Sequence, residues 1–299
     1  MNNVEACPAC KSPRVALSYI GRTMRKPEDL TNWHVWNCSD CGHGFINPQP
    51  SWDELQAYYD DAYDPYEDSH GVQAFDAEVA QARRTGKLRH VEIKPGIRLL
   101  DVGCGGGVFL RMARELGAVV QGVEPSPHGA ATTAKAGIPV FNGMLDDFIG
   151  ANPDAQFDLI TSNHVVEHHS KPADLLAQMK SLLAPGGKIW FSVPNAGCDP
   201  ARRLNWRWHS ADLPYHLMQF SPQSVRKVVA EAGLTVSNME TETLPHVVRH
   251  SILHMWRREW KVPVRLSQHL PIMSIARQRA KAMDSDCAGE AILTEVIPV

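Results

Sequence analysis

The sequence predicts an α/β fold in which helices flank a mostly parallel sheet of seven strands. Between residues 97 and 299, seven short apolar runs suit strands, and stretches with helical periodicity separate most of them. Two closely spaced cysteine pairs precede this region and predict a small separate unit. We therefore expect a four-cysteine unit over residues 1–50, a helical linker or lid over 51–96, and the α/β domain over 97–299.

The composition argues against several classes of protein. The 299 residues carry a net charge of −3, which gives no general reason to expect a nucleic acid partner. We find no long apolar run and no signal peptide, so a cytoplasmic protein is expected. In that compartment, the seven cysteines are not expected to form disulfides.

Four of the cysteines form two C-x-x-C pairs, Cys7 with Cys10 and Cys38 with Cys41. A two-residue gap lets both thiolates of a pair reach one tetrahedral ion, so the pattern predicts a zinc ribbon. Four thiolates leave no open coordination position, which predicts a structural zinc ion. The alternative is a redox-active C-x-x-C, but two such pairs so close together favour zinc.

The α/β domain opens with a strand, a glycine turn and a helix. An apolar run at 98–102 is followed by Gly103, Gly105, Gly106 and Gly107, and a helical pattern begins at Val108. Glycines let the backbone pass close to a ligand and adopt positive φ angles. The dinucleotide fingerprint requires glycine at its sixth position, where this chain has Val108, so a nicotinamide oxidoreductase is disfavoured.

The run D-V-G-C-G-G-G, residues 101–107, closely resembles the first motif of class I S-adenosylmethionine (SAM) methyltransferases. This resemblance implies SAM as the cofactor and a Rossmann-like methyltransferase sheet. Glu124 ends the second strand, where an acid accepts hydrogen bonds from ribose hydroxyls. By the same resemblance an acid after the third strand contacts the adenine, with Asp146 preferred over Asp147. The predicted cofactor-binding residues are Asp101, Gly103, Gly105, Gly107, Glu124, Asp146 and Asn163.

The fourth strand and the loop after it, F-D-L-I-T-S-N-H-V-V-E-H, resemble a methyltransferase family that includes ubiquinone-biosynthesis O-methyltransferases and many sugar methyltransferases. In the ubiquinone enzymes, a Glu-x-x-Glu-His run can hold a divalent metal; here His164 replaces the first Glu. Three interpretations remain open: a metal bound by His164, Glu167 and His168; a histidine acting as general base; or a loop held by hydrogen bonds.

A polar, aromatic and basic loop between Asn195 and Ser221 follows the fifth strand, where specificity loops are expected. Its tryptophans and arginines suit sugar rings and phosphates. The segment 214–221 resembles the family's P-x-H-x-x-x-F-S pattern, in which the histidine faces the substrate. His216 is therefore a second candidate base, unless it only caps a strand.

Two further segments have two interpretations each. The tyrosines of the 51–96 region either form a lid over the cofactor or pack a helix on the core; they are Tyr58, Tyr59, Tyr63 and Tyr66. An insert at 246–283 contains eight Lys or Arg residues and one Glu. It predicts either peripheral contact with a membrane or anionic substrate, or a solvated helical face.

Together, these features predict a SAM-dependent methyltransferase with a zinc ribbon, acting on a small molecule, with a sugar or nucleotide-linked sugar as the first candidate. An rRNA methyltransferase is an alternative, but the net acidic chain and the S-N-H-V sequence, in place of an N-P-P-Y-type motif, argue against it. A non-catalytic scaffold is the other alternative, opposed by the intact glycine motif and Glu124.

Overall fold

The computed structural model describes residues 2–26, 28–56, 58, 72–243, 248–249, 253, 274–275, 278 and 288–299. The N-terminal region contains, in chain order, β1 (Val15–Gly21), β2 (Trp33–Cys38), β3 (Gly44–Ile46), α1 (Trp52–Gln56), α2 (Val72–Thr85), β4 (Lys87–Leu88) and β5 (Val91–Glu92). We call residues 2–50, which contain β1, β2 and β3, the cysteine unit. Its three strands pair antiparallel in the order β1-β2-β3.

The α/β domain follows. Its elements are β6 (Arg98–Val102), α3 (Val108–Glu115), β7 (Val119–Glu124), α4 (Pro127–Lys135), β8 (Val140–Asn142), α5 (Leu145–Ala151), β9 (Phe157–Asn163), α6 (Pro172–Ser181), β10 (Leu183–Pro194), α7 (Asp199–Leu204), β11 (Met218–Gln219), α8 (Pro222–Glu231), β12 (Leu234–Glu242) and β13 (Ala291–Pro298).

Seven of these strands form one sheet in the order β12-β13-β10-β9-β6-β7-β8, which confirms the predicted architecture. The five strands from β10 to β8 are parallel, and β13 lies antiparallel between β10 and β12. Alternate residues of β6 face opposite sides of the sheet: Leu99 and Leu100 are both fully buried, in different apolar clusters. A parallel strand covered on both faces is mainly apolar, and in β6 the polar residues are Arg98 at its exposed start and Asp101 near its carboxyl end.

The cysteine unit is not independent of the α/β domain. The short strand β11 pairs antiparallel with β3, so the unit's sheet has the order β1-β2-β3-β11. Gly44 permits this close approach, because a Cβ there would lie 3.0 Å from Cβ of Gln219. The last strand of this sheet, β11, therefore comes from the loop between Asn195 and Ser221, in which His216 was predicted to face the substrate.

Two helices end earlier than their sequence patterns indicate. The pattern of 72–92 predicts one polar-faced helix, but α2 ends at Thr85, because Gly86 adopts a φ of 73° and the β4–β5 hairpin follows. The apolar spacing from Pro172 predicts a helix to Ala184, but α6 ends at Ser181, because Leu183 already pairs with Phe157 of β9. The sequence Ser51-Trp52-Asp53-Glu54 predicts a helix start, which is confirmed: the Ser51 and Glu54 side chains each accept a hydrogen bond from the other's backbone N–H.

Parts of two predicted segments lie outside the described residues. Of the tyrosine cluster, the structure describes Tyr58 and not Tyr59, Tyr63 or Tyr66. Of the basic insert at 246–283, it describes only residues 248, 249, 253, 274, 275 and 278. Within the described part of the chain, no helix is both long and apolar enough to cross a membrane.

Candidate functional site

The four cysteines of the two C-x-x-C pairs meet at one point. Their sulfur atoms all lie within 4.8 Å of one another, with Cys7 Sγ 3.6 Å from Cys41 Sγ and Cys10 Sγ 3.6 Å from Cys38 Sγ. Zn–S bonds of about 2.3 Å in a tetrahedron place neighbouring sulfurs a little under 4 Å apart. All four are free thiols, and the Asp40 backbone N–H donates to Cys38 Sγ. This donor set fits a structural zinc ion.

The glycine turn between β6 and α3 is held from two sides. Gly103, Gly105 and Gly107 all have φ angles between 53° and 75°, a region that glycine adopts without strain. Below the turn, the Glu124 carboxylate accepts hydrogen bonds of 2.8 Å from the backbone N–H groups of Gly105 and Ser126. Burial raises the pKa of Glu124, although these two hydrogen bonds oppose the rise. The turn and the acid at the end of β7 thus form one unit, as the predicted ribose site requires.

Three other predicted cofactor-binding residues lie at the same edge of the sheet. Asp101, the next-to-last residue of β6, is buried and accepts a 2.6 Å hydrogen bond from the Thr161 hydroxyl. Burial raises its pKa to about 7, against that hydrogen bond. Asn163 ends β9, and Asp146 lies exposed in the first turn of α5. The Asp147 carboxylate accepts from the Met144 N–H at the start of α5, and the Asp146 carboxylate accepts from the Asp147 N–H, so both acids also bond the first turn of that helix.

The loop after β9 packs directly on the glycine turn. A Cβ at Gly103 would overlap Cγ2 of Val165, so these two backbone segments are in close contact. The next residues, 166–168, form a single 3₁₀ turn that carries Glu167 and His168. The candidate catalytic residues therefore lie beside the predicted cofactor site.

Glu167, His168 and His216 form one cluster, in which one potential metal-ligand atom of each residue lies within 4.8 Å of those of the others. The Glu167 carboxyl is fully buried, and the His216 Nε2 lies 3.9 Å from its Oε1. Both histidines use Nδ1 to donate to backbone carbonyls, His168 to Tyr215 and His216 to Ser210. Each Nε2 therefore lacks its proton in the neutral ring and can accept one. We call these three residues the His–Glu cluster.

The structure does not assemble the metal site that was predicted from His164, Glu167 and His168. His164 Nδ1 lies 3.0 Å from Glu167 Oε1, but His164 is not among the groups close enough to share an ion with His168. Its side chain is 43% exposed and holds one oxygen of the buried Glu167. If an ion bound here, its protein ligands would be Glu167, His168 and His216, with His216 in the place predicted for His164.

A family model described as a methyltransferase domain matches residues 75–238, more than half of the chain. The chain belongs to the class I SAM-dependent methyltransferases. The matched segment contains the glycine turn, the acid at the end of β7 and the His–Glu cluster. SAM is thus the cofactor for which this fold and the Gly103–Glu124 unit are suited.

The relatives of this methyltransferase cover only part of its length. A ubiquinone biosynthesis O-methyltransferase from Burkholderia multivorans is 34% identical over 105 residues, 33% of this chain and 45% of that protein. A counterpart from Burkholderia thailandensis is 29% identical over 106 residues, 34% of this chain and 46% of that protein. The chain therefore spans about half the length of the curated relatives that it matches.

Solved structures support the fold alone. The cyclopropane synthase MmaA2 from Mycobacterium tuberculosis has a TM-score of 0.50 and 17% identity, covering 83% of this chain and 98% of that one. A chain of the Haloferax volcanii complex between the Trm112 methyltransferase activator and a methyltransferase also has a TM-score of 0.50, with 18% identity, covering 75% and 98%. Both agree with a Rossmann-like methyltransferase sheet.

Two tryptophans of the loop that was expected to stack on a sugar are partly or fully covered by other residues of the methyltransferase. Trp208 is 1% exposed, and its indole N–H donates to the Glu290 carboxylate. Trp206 is half-buried, with the Arg207 guanidinium over its ring. A cleft of about 180 Å³ does open between this loop and the cysteine unit; polar side chains in its lining are Ser18, Tyr19, Asn37, Arg202, Asn205 and Gln219.

Sequence patterns missed two residues beside the His–Glu cluster. Asp212 lies 3.9 Å from His216 Nε2 and is bound by Arg25, which precedes it by 187 residues. Neither residue belongs to a recognised motif. The sequence shows Asp212 four residues before the candidate base His216, but no pattern in it predicts a contact between Asp212 and the cysteine unit.

The close contact at Gly103 predicts a strong effect of one methyl group. We expect Gly103→Ala to destabilise the methyltransferase by roughly 2–4 kcal/mol and to weaken SAM binding, because the Cβ meets Val165 while φ is 75°. Gly186→Ala is the matched control: Gly186 has a φ of 77° with nothing within 4 Å, so it measures backbone strain alone. Urea unfolding and SAM calorimetry test the pair. Equal losses in both variants would show that the Val165 contact has no cost.

Burial of His168 predicts a pH dependence of stability. Burial, assisted by the charge of His216, lowers the pKa of His168 from its ordinary 6.5 to about 4. Between those values, the unfolded chain binds a proton that the native chain does not. Stability from this group is therefore complete above pH 6.5 and falls toward pH 4, by up to about 1.4 kcal/mol per pH unit. His168→Asn keeps a donor for the Tyr215 carbonyl and should show a shallower fall by urea unfolding between pH 7 and pH 5. An unchanged slope would contradict the assignment.

Proposed function

We propose that this protein transfers the methyl group of SAM to a hydroxyl oxygen of a small molecule, with His216 as general base. The observation that carries the proposal is the buried His–Glu cluster packed beside the glycine turn through the Gly103–Val165 contact. A base next to a methyl donor is what transfer to a hydroxyl requires, since the oxygen becomes nucleophilic as it loses its proton.

In this proposal each part of the site has one task. SAM supplies an electrophilic methyl group. Glu124 and the glycine turn hold the ribose and the methionine portion, and Asp146 contacts the adenine. Nε2 of His216 takes the hydroxyl proton as the oxygen attacks the methyl carbon, and S-adenosylhomocysteine leaves. Holding the two reactants in line supplies much of the rate acceleration.

His216 is preferred over His168 as the base because of the groups around each ring. The Glu167 and Asp212 carboxylates each have an oxygen 3.9 Å from His216 Nε2. His168, with a pKa lowered to about 4, is a weak proton acceptor at neutral pH. The role assigned to His168 is to pack edge-on against the His216 ring, whose centroid is 4.8 Å away.

The acceptor class that we propose first is a sugar or nucleotide-linked sugar. The amide, hydroxyl and guanidinium side chains that line the cleft beside the 196–208 segment support a polar acceptor, although no residue of the His–Glu cluster lines that cleft. A phenolic hydroxyl is the second candidate, because the Burkholderia relatives are ubiquinone biosynthesis O-methyltransferases. We propose a small-molecule acceptor rather than RNA, because the His–Glu cluster is largely buried.

The test uses zinc-loaded protein with SAM carrying a radiolabelled methyl group. Nucleotide-linked sugars and catechols are offered as separate acceptor panels, and label in the product is counted. We expect transfer to one panel, with His216→Gln reducing kcat by about 100-fold or more, while its SAM affinity by calorimetry matches wild type. Binding of SAM without transfer to either panel would reject both acceptor classes; no binding of SAM would reject the enzyme itself and favour a scaffold.

A further inference from the structure

The hairpin between β1 and β2 of the cysteine unit contacts the segment that carries His216. Arg25, in this hairpin, forms a bidentate ion pair with Asp212: Nε lies 2.9 Å from Oδ1 and Nη2 lies 2.7 Å from Oδ2. The Asp212 side chain is 11% exposed and that of Arg25 is 29% exposed. Paired arginine–carboxylate bonds of this kind fix orientation as well as distance.

Asp212 is joined to His216 by the chain itself. Its backbone carbonyl accepts a 3.0 Å hydrogen bond from the His216 N–H, and its residue adopts a left-handed φ of 36°. Non-glycine residues rarely adopt such angles unless their surroundings hold them. Burial would raise the pKa of Asp212, but the hydrogen bond from Arg25 and the nearby His216 lower it, which keeps the carboxylate charged.

Arg25 also reaches the other histidine of the cluster through Tyr215. Its guanidinium lies over the Tyr215 ring, 4.9 Å from the centroid, and the Tyr215 backbone carbonyl accepts from His168 Nδ1. The Tyr215 hydroxyl in turn donates to the Tyr58 carbonyl. The Arg25 side chain thus contacts both Asp212 and Tyr215. The backbone carbonyls of these two residues accept hydrogen bonds from His216 and His168, respectively.

We propose that Arg25 and Asp212 are positioning residues for the general base, which makes the cysteine unit a working part of the methyl-transfer site. The ion pair holds the 212–216 turn so that His216 Nδ1 donates to Ser210 and Nε2 faces the acceptor. This inference rests on the proposed role of His216. The charged or titratable groups that face His216 are Glu167, His168, Asp212 and, beyond Asp212, Arg25.

The first arm of the test needs no acceptor. Zinc-loaded protein labelled with ¹⁵N-histidine is observed by NMR for the imidazole N–H that His216 donates to Ser210, assigned with His216→Gln. We expect this slowly exchanging signal in wild type and its loss in Arg25→Gln and Asp212→Asn. Arg22→Gln is the matched control, because Arg22 lies on the same hairpin but is exposed and bonds only Asn32 among the contacts described. Persistence of the signal in folded Arg25→Gln would overturn the proposal.

The second arm measures kinetics with an acceptor that the labelled-SAM panels identify. Arg25→Gln is expected to lower kcat by about 10- to 100-fold, since a displaced reacting group costs on that order, with an unchanged KM for SAM. Arg25→Lys should recover part of kcat, as it restores charge without the paired bonds. Equal kcat for wild type and Arg25→Gln would overturn the proposal. Full activity of His216→Gln would instead reject the assigned base, and the NMR arm would still decide whether Arg25 positions that ring.

Discussion

Replacing Glu124 with alanine is expected to weaken SAM binding by about 10- to 100-fold, or by roughly 1.4–2.7 kcal/mol. Two causes contribute. The buried carboxylate is the proposed partner of the ribose hydroxyls, and it also accepts from the N–H groups of Gly105 and Ser126. Its loss leaves two backbone donors without these partners and loosens the turn on which the cofactor is proposed to lie.

Calorimetry with SAM and with S-adenosylhomocysteine measures this effect. Glu115→Ala is the control, because Glu115 ends α3 with a 52% exposed side chain and lies outside the proposed ribose contact. Glu124→Gln should fall between the two, since it keeps one acceptor oxygen. Wild-type affinity in a cooperatively folding Glu124→Ala protein would remove Glu124 from the cofactor site and leave the glycine turn without its proposed acid.

The second large effect is expected from removing one ligand of the predicted zinc site. Cys41→Ser should release one zinc per chain and lower the melting temperature strongly, because a metal held by four thiolates supplies much of the folding free energy of so small a unit. The destabilisation should also extend beyond the cysteine unit. Since β3 carries β11, and β11 begins two residues after His216, the turn that positions the proposed base loses its support.

Metal content by mass spectrometry, thermal unfolding and SAM calorimetry together test this prediction. SAM affinity should fall less than methyl transfer, because the proposed cofactor contacts lie on and after β6, β7 and β9 and on α5, whereas the strand that pairs with β3, β11, directly follows the proposed base. Cys198→Ala is the control, since Cys198 is a buried thiol outside the four-cysteine cluster. Unchanged metal content and melting temperature in Cys41→Ser would contradict a structural zinc site.

Local sequence patterns were sufficient for the sheet and for the glycine turn. Each depends on neighbours in the chain: a parallel strand buried on both faces is a nearly continuous apolar run, and a turn with positive φ angles favours glycine. The same applies to the C-x-x-C pairs, whose spacing already matches one tetrahedral ion. Element ends were predicted less well, because pairing at Leu183 and the hairpin after Gly86 stop helices that periodicity alone would extend.

What the sequence by itself determined is the fold class, the family and the candidate residues His168, Glu167 and His216. What only the tertiary structure decided is their grouping. His164, three residues from Glu167, lies outside the set that could share an ion, while His216 from a distant loop joins it. Arg25 reaches Asp212 because β11 pairs with β3 and brings the cysteine unit to the site. Such contacts come from packing between segments far apart in the chain, and no local periodicity or spacing encodes them.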